Sequence, residues 1–145
     1  MSVEYRVRDN VGFSTVVKEA KKLDQELRKL VAEAIENTIE EYGDEEDHYV
    51  RSKIEKKLKL TRMSSTSWVR DLSDGIWCLF EFYNSISNVN DCENSKYWKI
   101  AGATIFYFIN PFDIIPDHTP DSGFSDDAFA FYYCIRQLPS DWNKK

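Results

Sequence analysis

The stretch STVVKEAKKLDQELRKLVAEAIENTIEEY, residues 14–42, decides the fold class. Val16, Val17, Ala20, Leu23, Leu27, Leu30, Val31, Ala34, Ile35 and Ile39 return at steps of three and four, the period at which side chains share one face of an α-helix. Charged and polar residues fill the positions between them. The spacing predicts one long amphipathic helix, with Ser14 or Thr15 as its N-cap and Gly43 as its stop. Its heptads are imperfect, so the apolar stripe reads as core rather than as the seam of a coiled coil.

The rest of the chain extends the same reading. A second helix is expected from about Glu45 to Leu60, with Tyr49, Ile54 and Leu58 inward, ended by the polar run Thr61 to Ser67. A third follows from about Trp68 to Ser87. Its Trp68, Leu72, Ile76, Trp77, Phe80 and Tyr83, with Leu79 and Phe82 on other faces, mark it as central. A fourth runs from about Ser95 to Ile109, stopped by Pro111, because the residue before a proline is pushed out of the α region. A fifth begins near Asp126 and ends before Pro139. Trp77, Phe80, Phe106 and Ile109 stand on the most apolar faces of the third and fourth helices. The N-terminal residues 1–13, where Val3, Tyr5 and Val7 alternate with charges, read as a tail or a short strand. The fold class is all-α: a compact bundle of about five helices in a single domain over residues 1–145.

Composition narrows the function. At 145 residues, 42% hydrophobic and 14% aromatic, the chain can bury a substantial core. The net charge of −6 provides no global basic footprint for nucleic acid, so no nucleic-acid partner is expected. Three cysteines without a C-x-x-C pair suggest neither a disulfide framework nor a zinc cage, and fit a reducing cytoplasm. The residues from Met1 to Asn10 show no signal-peptide pattern. The longest strongly apolar run, Ile100 to Ile109, is far short of the ~20 residues that span a bilayer.

The charges are segregated. Glu33 to Asp47 holds Glu40, Glu41, Glu45 and Glu46 among its acids and no Lys or Arg. Arg51 to Arg62 holds Lys53, Lys56, Lys57 and Lys59 against Glu55 alone. The simplest account is two solvated helix faces attracting each other across a helical hairpin; the alternative for the basic stretch is a local nucleic-acid or anionic-membrane contact.

Residues 107–127 read YFINPFDIIPDHTPDSGFSDD. Pro111, Pro116 and Pro120 each fix φ and remove a donor, so the segment reads as a stiff helix–loop–helix connector rich in Pro and Asp. Asp113, Asp117, Asp121, Asp126 and Asp127 fall within it with no Lys or Arg between them. Capping of the loop turns and of the last helix is the first explanation. The alternative is a hard cation, Mg²⁺ or Ca²⁺, held by Asp113, Asp117, Asp126 and Asp127, although the calcium-loop pattern is absent. His118 lies among these carboxylates as a candidate general base or metal ligand.

The spacing of Tyr107, Pro111, Asp113, Ile115, Pro116, Asp117, Pro120, Gly123, Asp126 and Asp127 resembles the YkvA-like family of bacterial helical domains, over about residues 97–138. The resemblance implies a helix before the loop and another after it. It implies no activity, since the family has none established, and many relatives look membrane-associated. His118, Thr119, Asp121 and Ser122 stand where relatives carry apolar residues, so membrane association is not favoured here.

No nucleophile elbow, P-loop or dinucleotide fingerprint is present. The expected function is therefore non-catalytic: binding of a basic protein partner, as by a small acidic inhibitor or immunity protein neutralising a toxin or nuclease, with no cofactor. Glu40, Glu41, Glu45, Glu46, Asp117 and Asp121 are its candidate contact residues. A metal-dependent enzyme built on the Asp-rich loop and a peripheral membrane protein are the alternatives.

Overall fold

A computed structural model describes residues 13–87, 91–110 and 124–143. The described residues form six helices and no strand: α1 (13–20), α2 (Gln25–Glu41), α3 (Asp44–Arg62), α4 (Ser67–Ile86), α5 (Cys92–Ile109) and α6 (Ser125–Ile135). The all-α bundle expected from the periodicity is the fold. The N-terminal tail or strand, residues 1–12, and the Pro/Asp-rich connector, residues 111–123, lie outside the described residues.

The long first helix is two helices. After Ala20 the chain turns through Lys21 to Asp24, and Asp24 restarts it as an N-cap, its carboxylate accepting from the Glu26 N–H at 3.1 Å. Arg28 closes the joint from the other side. Its Nε donates to the Leu23 carbonyl at 2.8 Å, and its other guanidinium nitrogen reaches the Lys21 carbonyl. The last carbonyls of a helix need such partners, and a cation there also suits the dipole. The apolar stripe continues across the joint, which is why periodicity alone reads straight through it.

Other boundaries shift for equally local reasons. α5 starts at Cys92 rather than Ser95, because Asp91 caps it, accepting from the Asn94 N–H at 2.8 Å and from the Asn94 side-chain amide at 2.9 Å. α3 runs through Thr61 to Arg62 instead of stopping at Leu60. Thr61 is buried; its hydroxyl lies 3.1 Å from the Leu58 carbonyl and 2.9 Å from the Ser73 hydroxyl on α4. A polar residue that looks like a helix breaker is thus a satisfied core contact.

α5 is the centre. It packs against α2, α3, α4 and α6, and its residues from Ile100 to Ile105 are all buried. A helix covered on every side shows no polar face over that span. α4 is its closest partner, as expected, but it turns Val69, Leu72, Ile76, Leu79 and Tyr83 fully inward, while Trp77 and Phe80 are only partly buried. The inward row sits one position around the helix from the widest aromatics. On α5, Ile109 is buried and Phe106 partly so. The main apolar cluster extends from Phe13 to Trp142, beyond the last helix. No helix among the described residues is long and apolar enough to cross a membrane.

Candidate functional site

The charges of α3 are arranged along its axis. Its first turn holds Asp44, Glu45, Glu46 and Asp47, and its last turn holds Lys59 and Arg62. Each set sits at the end of the helix dipole that stabilises it. The two ion pairs between described residues, Lys22–Glu19 and Arg51–Asp47, are both local in sequence. Within α3 the charge is thus polarised along the helix axis, while Glu33, Glu36, Glu40 and Glu41 of the acidic stretch lie on α2.

The acidic end forms a corner. α2 ends at Glu41, Tyr42 and Gly43 make the turn, and α3 begins at Asp44. Glu40, Glu41, Asp44 and Glu45 are exposed around it. Glu46 is half-buried and turns back on the backbone, its carboxylate accepting from the Gly43 N–H at 2.8 Å in a capping-box arrangement. Of the four glutamates singled out in the sequence, three face solvent and one holds the turn.

Tyr42 anchors this corner. Its side chain is buried against Gly102 of α5, its ring 5.0 Å from that of Trp98. Its hydroxyl lies 2.6 Å from that of Tyr83. Tyr83 donates its own proton to the Asp47 carboxylate, so Tyr42 must be the donor to Tyr83. Asp47 also accepts from Arg51 Nε at 2.9 Å. The Arg51 guanidinium then reaches Asn84 Oδ1 at 2.6 Å and Ser87 Oγ at 3.1 Å, and the Trp98 indole N–H donates to the same Ser87 oxygen at 3.1 Å. The Tyr83 and Trp98 rings stack at 5.4 Å. A cleft of about 470 Å³ lies over this network, lined by Asp44, Asp47, Arg51, Asn84, Ser87 and Trp98. A larger groove of about 800 Å³ continues past Trp98 toward Lys96 and Lys99.

Burial pushes both phenols above the ordinary tyrosine value. For Tyr83 the hydrogen bond to Asp47 adds to the effect. Both stay protonated at neutral pH, as donors rather than bases, and the network is a brace. A raised folded-state pKa means that the protonated phenols stabilise the fold fully below the unfolded value of about 10, and that this contribution is lost as pH rises above it. Stability should therefore fall more steeply between about pH 9 and about pH 11 in the wild type than in the Tyr42→Phe/Tyr83→Phe variant. Urea unfolding at each pH measures this, and equal slopes would show that the phenols titrate freely.

The second group of candidates is divided. Asp113, Asp117 and Asp121, with His118, lie outside the described residues. Asp126 and Asp127 are buried in the first turn of α6, the end of the dipole that suits a carboxylate, but the N-cap itself is Phe124. The Tyr107 hydroxyl of α5 donates to Asp126 at 2.8 Å. That bond joins the first and next-to-last matched positions of the sequence pattern.

Sequence reasoning did not find Arg51, Asn84, Ser87 or Trp98 as partners. They lie on three helices, and Arg51 and Ser87 are separated by 36 positions. No spacing rule brings them together.

What the fold and the corner define is an all-helical bundle with an acidic end and a braced polar cleft. Residues 98–133 match the profile of a family described as "Protein of unknown function (DUF1232)", the YkvA-like family that the proline and aspartate spacing resembles. The matched segment contains most of α5 and α6. Neither a curated protein nor a solved structure matches the chain significantly.

Proposed function

We propose that this protein works by binding a basic protein partner at the corner between α2 and α3, as an acidic inhibitor or immunity protein masks a toxin or nuclease in the cytoplasm. The observation that carries the reading is the rigid mounting of the charge. Glu40, Glu41, Asp44 and Glu45 are exposed on both sides of Tyr42, which is buried and hydrogen-bonded. Carboxylates presented on a fixed turn lose little freedom on binding. The adjoining cleft has Asp44 exposed at its edge, beside Asp47, which Arg51 already pairs. Complementary charge speeds encounter and makes it salt-sensitive.

A photo-crosslinker placed at Asn37, near this corner, would capture the partner in the cells the protein comes from, with mass spectrometry of the adduct. The expected result is one basic protein, lost when Glu40, Glu41 and Glu45 are reversed to Lys. Reversal of Asp117 and Asp121 tests the second half of the proposed contact. Capture that survives both reversals, or repeated capture of nothing, would refute the reading. Turnover of a substrate that is lost on His118→Ala or Asp117→Ala would replace it with an enzyme.

A further inference from the structure

The far end of α3 carries a surface that the acidic corner does not use and the matched family segment does not include. Leu60 is 61% exposed and Met63 77% exposed. They stand one helical turn apart, on the same edge of the helix as Lys53 and Lys56. Lys59 and Arg62 flank them, and all four cations are exposed. From Arg51 to Met63 the one acidic residue is Glu55. A groove of about 520 Å³, lined by Leu58, Lys59, Arg62, Met63 and Trp77 with Glu55, runs beside this edge, and the Arg62 guanidinium lies 5.8 Å from the centre of the Trp77 ring.

We infer that this end of α3 seats on an anionic lipid surface. Leu60 and Met63 enter the boundary between headgroups and acyl chains, and Lys53, Lys56, Lys59 and Arg62 meet the lipid phosphates and carboxylates. Apolar side chains interleaved with cations on the open edge of a helix are the pattern of an interfacial contact. A nucleic acid would gain from the cations but not from a protruding Leu and Met, and would call for exposed aromatic rings to stack on its bases. The overall charge of −6 does not cancel the patch. The acidic turn of α3 is at the opposite end of a 19-residue helix. From the middle of that turn to the middle of the run Lys53 to Arg62 is about 18 Å at 1.5 Å per residue, roughly twice the screening length of about 8 Å at physiological salt. The contact is reversible and salt-dependent, because two apolar side chains and four cations make a modest anchor.

Sedimentation with vesicles of phosphatidylcholine, with and without phosphatidylserine, tests this on the full chain. Binding is expected to the phosphatidylserine vesicles and to fall with added salt, with little binding to phosphatidylcholine alone. Each cation near the surface changes affinity roughly fivefold, so Lys53→Glu/Lys56→Glu/Lys59→Glu should weaken binding by on the order of a hundredfold or more. Leu60→Ser/Met63→Ser, with the charge unchanged, should weaken it severalfold. These side chains are exposed, and an unchanged melting temperature will show that both variants fold. The proposal is overturned by no binding to phosphatidylserine vesicles even at low salt, by binding that ignores either variant, or by tighter binding of a single-stranded oligonucleotide that ignores Leu60→Ser/Met63→Ser. A dimer in solution that Leu60→Ser/Met63→Ser dissolves would also overturn it, by assigning the patch to a second copy.

Discussion

Phe131→Ala is expected to lower the free energy of unfolding by about 3–5 kcal/mol, a large part of the 5–15 kcal/mol that holds a typical domain together. Phe131 is completely buried. Its ring meets Phe13 of α1 edge-on at 5.3 Å and Trp142 at 6.3 Å. It also lies directly over Gly75 of α4, where an added Cβ would come within 2.7 Å of the ring. One ring thus joins α1, α4, α6 and the segment after α6. Removing it leaves a cavity bounded by elements that are held in place by other contacts and cannot all close in. Urea unfolding should show the midpoint falling with the slope unchanged. A shift of less than about 1 kcal/mol would mean that the aromatic cluster is not a core contact.

The second large effect is expected at Gly102, and its sign depends on the background. Alanine is the better helix former by about 1 kcal/mol, so Gly102→Ala in the middle of α5 would ordinarily stabilise. Here a Cβ would stand 2.3 Å from the Tyr42 ring, far inside van der Waals contact. The overlap is with the ring and its hydroxyl, which the bond to Tyr83 holds in place. Overpacking of this kind typically costs about 1–3 kcal/mol, and we expect it to outweigh the propensity gain. In a Tyr42→Ala background the obstacle is gone, and Gly102→Ala should be neutral or stabilising by up to about 1 kcal/mol. The double-mutant cycle reads this reversal directly. Equal costs in both backgrounds would show that Tyr42 is not the neighbour. Because Tyr42 mounts the acidic corner, Gly102→Ala should also weaken capture of a partner there, without touching an acidic residue.

Several features were legible because they are local. The three- and four-residue steps from Val16 to Ile39 predict helix whatever surrounds them, and α2 to α6 follow from the same signal. The acids at the start of α3 and the bases at its end are a sequence pattern, though their meaning as a dipole complement needed the helix boundaries. The Tyr107 to Asp127 spacing carried the family resemblance that the match over residues 98–133 bears out. The joint at Lys21 to Asp24 was not legible. Arg28 closes it by folding back onto two carbonyls, a contact that leaves the apolar period untouched. Trp142 was missed as well. It follows Pro139, beyond the last helix, yet it is buried against Phe13, Phe82 and Phe131.

The sequence by itself determined that this chain is helical, which faces of its helices are apolar, and where its charge is concentrated, because each of these depends on neighbours a few residues away. Only the tertiary structure decided which large side chains fill the core. Trp77, one of the two tryptophans of α4, lies at the edge, while Ile76 beside it is fully buried, since a helix offers its partner one row and the packing of α5 selects it. The tertiary structure also decided that Tyr42, Asp47, Arg51, Tyr83, Ser87 and Trp98 form one braced cleft at the acidic corner. Hydrogen bonds act between groups about 3 Å apart in space, and residues from three helices come that close only when the core beneath them is packed.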